Sequence, residues 1–258
     1  MLKTVVYQSY RTTEVADWLR RCMRSTQSWA AAEGFDYRFI DDSFFDCVPD
    51  WYRRGARGNV QVLANLARIV VAKQLLAAGY HRTIWVDADV LVFDPRSFRI
   101  DVSREFAFCR EIWMTRRWGA AVKVPRVNNS VMVFVRDNSF IDFAIWAHED
   151  LVRRGTQILA HGTTTRLLTV LHHATPLPLL ENVGLLSPIV TRDIVAHDGA
   201  LTREYAAAHG TPIYAANLGA SLRGVASSGI TLSDADFEHV VEVLDGCRGA
   251  IFNDVFAS

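Results

Sequence analysis

Cysteine is scarce in this chain, and what there is lies far apart. Cys22, Cys47, Cys109 and Cys247 are the only four, and no Cys-x-x-Cys pair occurs in the 258 residues. That spacing excludes a thiolate zinc ribbon and a disulfide framework. It reads as core thiols in a reducing, cytoplasmic setting. An excess charge of either sign is missing too, since 28 Lys and Arg balance 28 Asp and Glu. No global field therefore draws the chain to nucleic acid. No uninterrupted apolar stretch reaches ~18 residues, so the expectation is that nothing spans a bilayer. Met1-Leu2-Lys3 leads straight into a strand-like run, without the pattern of a signal peptide. Repeats and low-complexity tracts are not evident. What remains is an ordinary globular balance, 50% hydrophobic and 22% charged. It is enough for one large α/β domain or two small ones.

The informative residues converge on Thr83-Ile84-Trp85-Val86-Asp87-Ala88-Asp89-Val90-Leu91-Val92-Phe93. Apolar residues on both sides suit a strand buried on both faces, at the centre of an α/β sheet. Two ionised carboxylates in such a place repel each other and lose hydration, so they call for a cation or a proton. If the strand ends near Asp87, both side chains turn into the crevice beyond its carboxyl end, where open α/β sheets hold ligands. Carboxylate oxygens match a hard divalent ion, Mn²⁺ or Mg²⁺, with room left for phosphate oxygens. The competing reading is structural, with one Asp capping a turn and the other in an ion pair.

Upstream, Leu2–Tyr7 reads as a strand, with Gln8-Ser9-Tyr10 as the polar loop at its carboxyl end. Val15, Trp18, Leu19, Cys22 and Met23 share one helical face, and Gly34 stops that helix. Tyr37–Ile40 is a second strand running into Asp41-Asp42. This spacing is a βαβ unit with parallel strands, which puts Gln8, Ser9 and Asp41 on one edge of the sheet. Residues 51–58 mix aromatic, basic and glycine residues and read as a mobile loop. Such a loop suits an anionic acceptor or peripheral contact with a membrane surface; a solvated charge run is the commoner explanation. Val60–Ala78 is a helix, apolar nearly all round, whose polar stripe is Gln61, Asn65 and Arg68. It feeds the Asp87 strand, so Asn65 and Arg68 are expected to face the carboxylates.

Downstream, Val90–Phe93 and Glu105–Cys109 read as strands. Residues 110–126, which contain Glu111, show little periodicity and read as a functional loop. Asn128 and Asn129 then open the strand Val131–Val135, where their amides suit sugar hydroxyls or an Asx turn. Phe140–Val152 and Gly162–His172 read as helices, Pro176–Pro188 as irregular or edge strand, and Pro212–Ala216 as a last strand. Ser233 and Asp236 cap a final helix that runs to about Leu244. His172 and His173 point apart on their helix, so a shared metal there is not expected. His197, in a late loop, stays as a site candidate.

The string Asn65-Leu-Ala-Arg68, followed by Tyr80-His-Arg-Thr-Ile-Trp-Val-Asp87-Ala-Asp89-Val-Leu-Val, resembles the nucleotide-sugar glycosyltransferases of the GT-A fold. The resemblance covers roughly residues 60–135 well. It implies a single GT-A-like α/β domain over 1–258, with a mainly parallel central sheet flanked by helices. Residues 1–100 would form the nucleotide-binding half and 101–258 the acceptor-binding half. It implies Asp87 and Asp89 as ligands of Mn²⁺ or Mg²⁺ bridging the donor diphosphate. Arg68 would touch the donor or the carboxylates, and Gln8, Ser9, Tyr10, Asp41, Asn65, Ala88, Asn128 and Asn129 would lie around the donor. A narrower likeness is to the group with fungal initiation mannosyltransferases and clostridial glucosylating toxins. Asn217-Leu-Gly-Ala-Ser221-Leu222 fits that group's C-terminal motif, except that Leu222 stands where Trp is usual. By that match Asn217 is a third metal ligand and Ser221 a phosphate contact.

The implied activity is transfer of a hexose from a UDP- or GDP-sugar to a carbohydrate or other hydroxyl acceptor, with retention. The metal would act as a Lewis acid on the departing diphosphate, and Arg68 and Arg223 would add electrostatic stabilisation. An inverting enzyme would instead need a carboxylate base, for which Glu111 is the candidate. Two other readings stand beside this one. The Asp-x-Asp strand also resembles the nucleophile motif of haloacid-dehalogenase-type phosphohydrolases. A non-catalytic nucleotide-sugar-binding module would keep the same residues, because fold does not dictate function.

Overall fold

Two strands and a helix at the amino terminus set the frame: β1 (Thr4–Ser9), α1 (Asp17–Ala32) and β2 (Asp36–Ile40), with β1 and β2 parallel. The computed structural model describes residues 2–101, 104–155 and 163–256. A short α2 (Asp50–Gly55) and the long α3 (Val60–Ala77) follow, then β3 (Arg82–Val86) and β4 (Val90–Val92). Next come β5 (Phe106–Arg117), β6 (Ala120–Val135), α4 (Phe140–Arg153), α5 (Thr163–Ala174), β7 (Leu179–Leu180) and β8 (Val183–Leu185). The chain closes with α6 (Pro188–Val195), α7 (Ala200–His209), β9 (Ala215–Asn217), α8 (Asp234–Cys247) and α9 (Ala250–Asn253).

The main sheet has the order β2-β1-β3-β6-β5-β7, and a second, three-stranded sheet has the order β4-β9-β8. In the main sheet β2, β1 and β3 run parallel; β6 is antiparallel to both β3 and β5, and β7 is parallel to β5. The sheet is therefore mixed, with its parallel half at the amino-terminal end. Strand alternation sorts the core into two faces. Val5, Tyr7, Trp85, Met132 and Phe134 pack on the side of α3 and α4. Val6, Ile84, Val86, Val131 and Val133 pack on the opposite side, with Trp29 and Ala30 of α1. A third apolar cluster joins α1, α6, α7 and α8 behind the small sheet.

Three expectations change. Residues 110–126 are not a loop: they belong to the β5–β6 hairpin, paired from Cys109↔Asn128 out to Arg117↔Ala120. Its tip is the two-residue turn Trp118-Gly119, both with positive φ, 48° and 81°, the twist that two-residue hairpins favour. Residues 51–58 are partly helical, with Tyr52 buried in the core; Arg53 donates to the carbonyls of Phe45 and Val48. Lastly, α3 is long and apolar enough to cross a membrane by length and composition, at 18 residues and a mean hydropathy of 1.4. Here it is a core helix packed on β3 and α4, with Leu66, Ala67 and Ala72 fully buried.

Candidate functional site

β3 ends at Val86, and the chain turns through residues 87–89 before β4 begins. The turn is held by Asp87 N–H donating to Ser130 O at 2.7 Å and Val90 N–H donating to Asp87 O at 3.1 Å. Both carboxylates therefore stand at the carboxyl end of β3, on the wall of a cleft of about 730 Å³. The cleft runs between the ends of β1 and β3, the start of α3, the root of the β5–β6 hairpin and the segment after β9.

Each carboxylate has its own supports. Arg68 reaches Asp87 Oδ1 with Nη1 at 3.1 Å, and the Trp85 indole N–H donates to the same oxygen at 2.6 Å. The Arg68 guanidinium also lies 5.0 Å from the Trp85 ring centre and donates to the carbonyls of Ala64 and Asn129. Its side chain is only 8% exposed, whereas Asp87 keeps 23%. A buried cation beside a partly open anion leaves the anion as the group that meets a ligand. Asp89 accepts from Asn217 Nδ2 at 2.9 Å and from the Ala220 N–H at 2.7 Å. The Asp87 carboxyl is raised to about 6, chiefly by burial and further by Asp89, against the pull of Arg68 and the Trp85 N–H. Burial also raises Asp89, against the donors Ala220 and Asn217. Two carboxylates held close and reluctant to ionise are a donor set that a hard divalent cation relieves.

The sequence places Arg68 opposite either carboxylate; the structure pairs it with Asp87, and Asp89 leans on the segment after β9 instead. Asn217 turns its amide nitrogen to Asp89, and its oxygen accepts the Gly219 N–H at 2.8 Å. It thus orients Asp89 and the turn 217–220, and its oxygen is engaged before any ligand arrives. Among the described residues, no group of three or more His, Cys, Asp or Glu side chains gathers as a metal cluster. A cation here would draw its other ligands from water and from the bound molecule, as Mg²⁺ and Mn²⁺ do at diphosphates.

Most of the other candidates line the same cleft. Ser9 and Tyr10 form its wall at the end of β1, with Asn65 and Arg68 from α3 beside Asp87, Ala88 and Asp89. Asn128, Asn129 and Glu111 come from the hairpin root, and Ser221 and Arg223 from the segment after β9. Asn129 donates to Asn65 Oδ1 at 3.2 Å, and Asn128 donates to Glu111 Oε2 at 3.0 Å while its oxygen takes the Ser130 N–H. The Asx turn and a polar wall thus coexist. Glu111 is buried, and burial raises its carboxyl above the usual range, against the pull of Asn128 and Arg126. Arg223 is paired with Asp234 at 3.1 Å at the cleft rim.

Three candidates, Gln8, Asp41 and His197, fall elsewhere. Gln8 is fully buried below the cleft, bridging the Asp87 carbonyl and the Tyr37 hydroxyl. Asp41 is an exposed cap that accepts the Ser43 N–H, and its neighbour Asp42 lines the cleft in its place. The side chain of Gln8, on an inward-facing position of β1, could not reach past the strand end. His197 lines a separate hollow with Asp193 and Asp198. Sequence reasoning missed Trp85, whose indole carries both Arg68 and Asp87. The signal was its position two residues before Asp87 on a strand, hence the same face. Trp113, Arg126 and Thr164 were also missed; Thr164 sits 2.8 Å from Nε2 of the buried His148, whose Nδ1 faces the Ala144 carbonyl.

No family model matches this chain, and no curated protein matches it. Among solved structures, it is similar to a glycosyltransferase involved in glycosylation of the major capsid of PBCV-1, at 10% identity and a TM-score of 0.49. That alignment covers 93% of this chain and 99% of the other. The catalytic domain of Drosophila β1,4-galactosyltransferase 7 in complex with xylobiose aligns at 11% identity and TM-score 0.30, over 53% of this chain and 50% of that one. A point mutant of that Drosophila enzyme, in complex with manganese, UDP-Gal and xylobiose, aligns at 11% identity and TM-score 0.30, over 63% and 68%.

Proposed function

We propose that the chain is a metal-dependent glycosyltransferase that moves a hexose from a UDP- or GDP-sugar to a hydroxyl acceptor. The observation that carries this reading is the pair Asp87 and Asp89 at the carboxyl end of β3, raised in pKa and open to a cleft, with Arg68 fixed behind them. A bound Mn²⁺ or Mg²⁺ would supply Lewis acid stabilisation of charge on a leaving diphosphate. The protein's own part is to hold the charges still. Trp85 and Arg68 fix one oxygen of Asp87, and Asn217 and Ala220 fix both oxygens of Asp89. Such preorganisation spares reorganisation when charge develops. Arg68 adds a positive charge behind the diphosphate position, and Ser221 and Arg223 offer polar groups across the cleft.

Both halves of the chain contribute, with Asn217 and Ala220 of the second half holding Asp89 of the first. Residues 1–100 supply the carboxylates and Arg68, and residues 101–258 supply the facing wall of Glu111, Trp113, Arg126 and Asn128. A hydroxyl acceptor would lie against that wall. With retention, the departing phosphate takes the acceptor's proton and Glu111 only positions the acceptor. With inversion, Glu111 takes the proton, and its raised pKa strengthens it as a base.

The test is calorimetric titration of UDP and GDP with Mn²⁺, with Mg²⁺ and with EDTA, followed by transfer assays with the sugar nucleotides that bind. Metal-dependent binding and sugar transfer support the reading. Equal affinity with and without metal removes the metal assignment. Phosphate release with a labelled phospho-aspartate at Asp87 establishes the phosphohydrolase reading instead, and tight binding without turnover establishes the binding module.

A further inference from the structure

Outside the cleft lining, His197 and His239 meet. His197 follows α6, at a backbone φ of 54°, and His239 sits in the second turn of α8. Their Nε2 atoms are 3.1 Å apart, and their ring centres are 4.9 Å apart with the planes at 89°. These numbers constrain the geometry. Two imidazoles bound through Nε2 to one tetrahedral zinc ion at about 2.0–2.1 Å have nitrogens roughly 3.3 Å apart and ring centres roughly 5.2 Å apart, slightly wider than the observed pair. A straight N–H···N bond at the observed nitrogen spacing would push the ring centres roughly half an ångström further apart than they are. At 4.9 Å the rings are bent away from a straight bond; the contact serves as a bent N–H···N hydrogen bond and comes within a few tenths of an ångström of the spacing a shared ion imposes.

We propose that His197 and His239 form a two-histidine surface site for a borderline transition-metal ion of the zinc class. Neutral imidazole nitrogens select such ions over Mg²⁺, which prefers oxygen. The site is thus chemically distinct from the carboxylate pair in the cleft. Among the described residues no third His, Cys, Asp or Glu joins the cluster, so water fills the remaining positions.

Placement makes the site a strap. His197 is tied to the end of α6 by its N–H to the Ile194 carbonyl, and α6 packs on α8. The same two helices are already joined by Arg192–Asp236 at 2.9 Å. An ion on both imidazoles adds a second bridge. The positive φ of His197 also matters, because a residue without a Cβ constraint is the usual occupant of that region. Asn tolerates it and makes a fair substitute in a test.

The experiment is calorimetric titration of the full chain with Zn²⁺ in excess Mg²⁺, on wild type, His197→Asn, His239→Gln and Asp87→Asn, with thermal melts of each. One equivalent should bind to wild type and to Asp87→Asn, and affinity should fall at least tenfold in either histidine variant. Melting temperature should rise with Zn²⁺ by about 2 °C or more only where binding is retained. The melts without metal show whether each variant folds, so lost binding is not confused with lost structure. Absence of Zn²⁺ binding to wild type overturns the proposal. So does an equivalent kept in both histidine variants, which would place it elsewhere on the chain, or one lost in Asp87→Asn, which would place it in the cleft.

Discussion

Asp87 and Asp89 are two residues apart and rest on different partners, so conservative substitutions should separate them. Asp89 accepts two N–H groups, one on each oxygen. An Asn there offers one oxygen and one NH₂, and one of the two donors loses its acceptor. Asp89→Asn should therefore cost the metal-free protein about 1–3 kcal/mol in chemical denaturation. Asp87→Asn removes a charge that burial and Asp89 both oppose, and Arg68 keeps its two carbonyls. Its metal-free stability should change by less than about 1 kcal/mol. Both variants should lose Mn²⁺-dependent stabilisation by nucleotide. A loss of about 3 kcal/mol or more in Asp87→Asn, the size of one broken buried pair, with metal dependence intact, would make the motif structural. Glu111 carries a pH signature. Its folded-state pKa is raised from the ordinary 4.5 by burial. The folded form thus binds the proton more tightly, and the associated stability is present below the ordinary value and lost as pH rises through the raised one. Melts across the range from about pH 4 to 8 should show that loss in wild type, and Glu111→Gln should lessen it, leaving the share that Asp87 and Asp89, also raised by burial, contribute. The carboxylate pair was legible because two charges inside an apolar strand have few explanations. Trp85 was not, since an aromatic residue in a buried strand looks like core whether or not its N–H holds a carboxylate.

Among the elements, α3 and α8 were readable and the β5–β6 hairpin was not. Helix α8 carries its own start signal, Ser233 with Asp236, and the structure has that capping box. The hairpin hid because β5 is covered on one stretch and exposed on the next, which erases alternation, and because its turn lacks the usual Asn-Gly or Asp-Gly. Trp118 takes the first turn position at φ 48° and stands fully exposed, and Gly119 takes the second at φ 81°. Gly119→Ala forces a Cβ into the left-handed region and should destabilise the protein by about 1–2 kcal/mol. Denaturant melts measure that cost. No heavy atom lies within 4 Å of the added Cβ, so any loss comes from the backbone and not from a clash. The amino-terminal βαβ unit was legible for the opposite reason: periodicity, stop residue and spacing agree there. α6 escaped notice because the prolines of Pro176–Pro188 suggested irregular chain or edge strand, whereas Pro188 occupies the first turn of α6, where a missing N–H is tolerated.

At the scale of the molecule, the cleft belongs to neither half of the chain. Asp89 is bound by Asn217 and Ala220, which are 128 and 131 residues further on. A chain ending at residue 210 would keep the Asp-x-Asp strand and Arg68 but lose β9 and both Asn217 and Ala220 as donors to Asp89. It should bind no nucleotide with Mn²⁺ in calorimetry, even where circular dichroism shows residual structure. Long-range dependence of this kind could not be read from residues 60–135, the part of the sequence that spoke most clearly. The same distance also has a consequence in time. A ribosome adding about 5–20 residues per second needs on the order of ten seconds to travel from Asp89 to Ala220. For most of that interval Asp89 is outside the exit tunnel with Asn217 and Ala220 still unmade, whereas Asp87 already has Arg68 and Trp85. Competence for ligand therefore arrives late in synthesis, with the closing of β9 onto β4, and a nascent chain stalled before β9 carries the motif without the supports of Asp89.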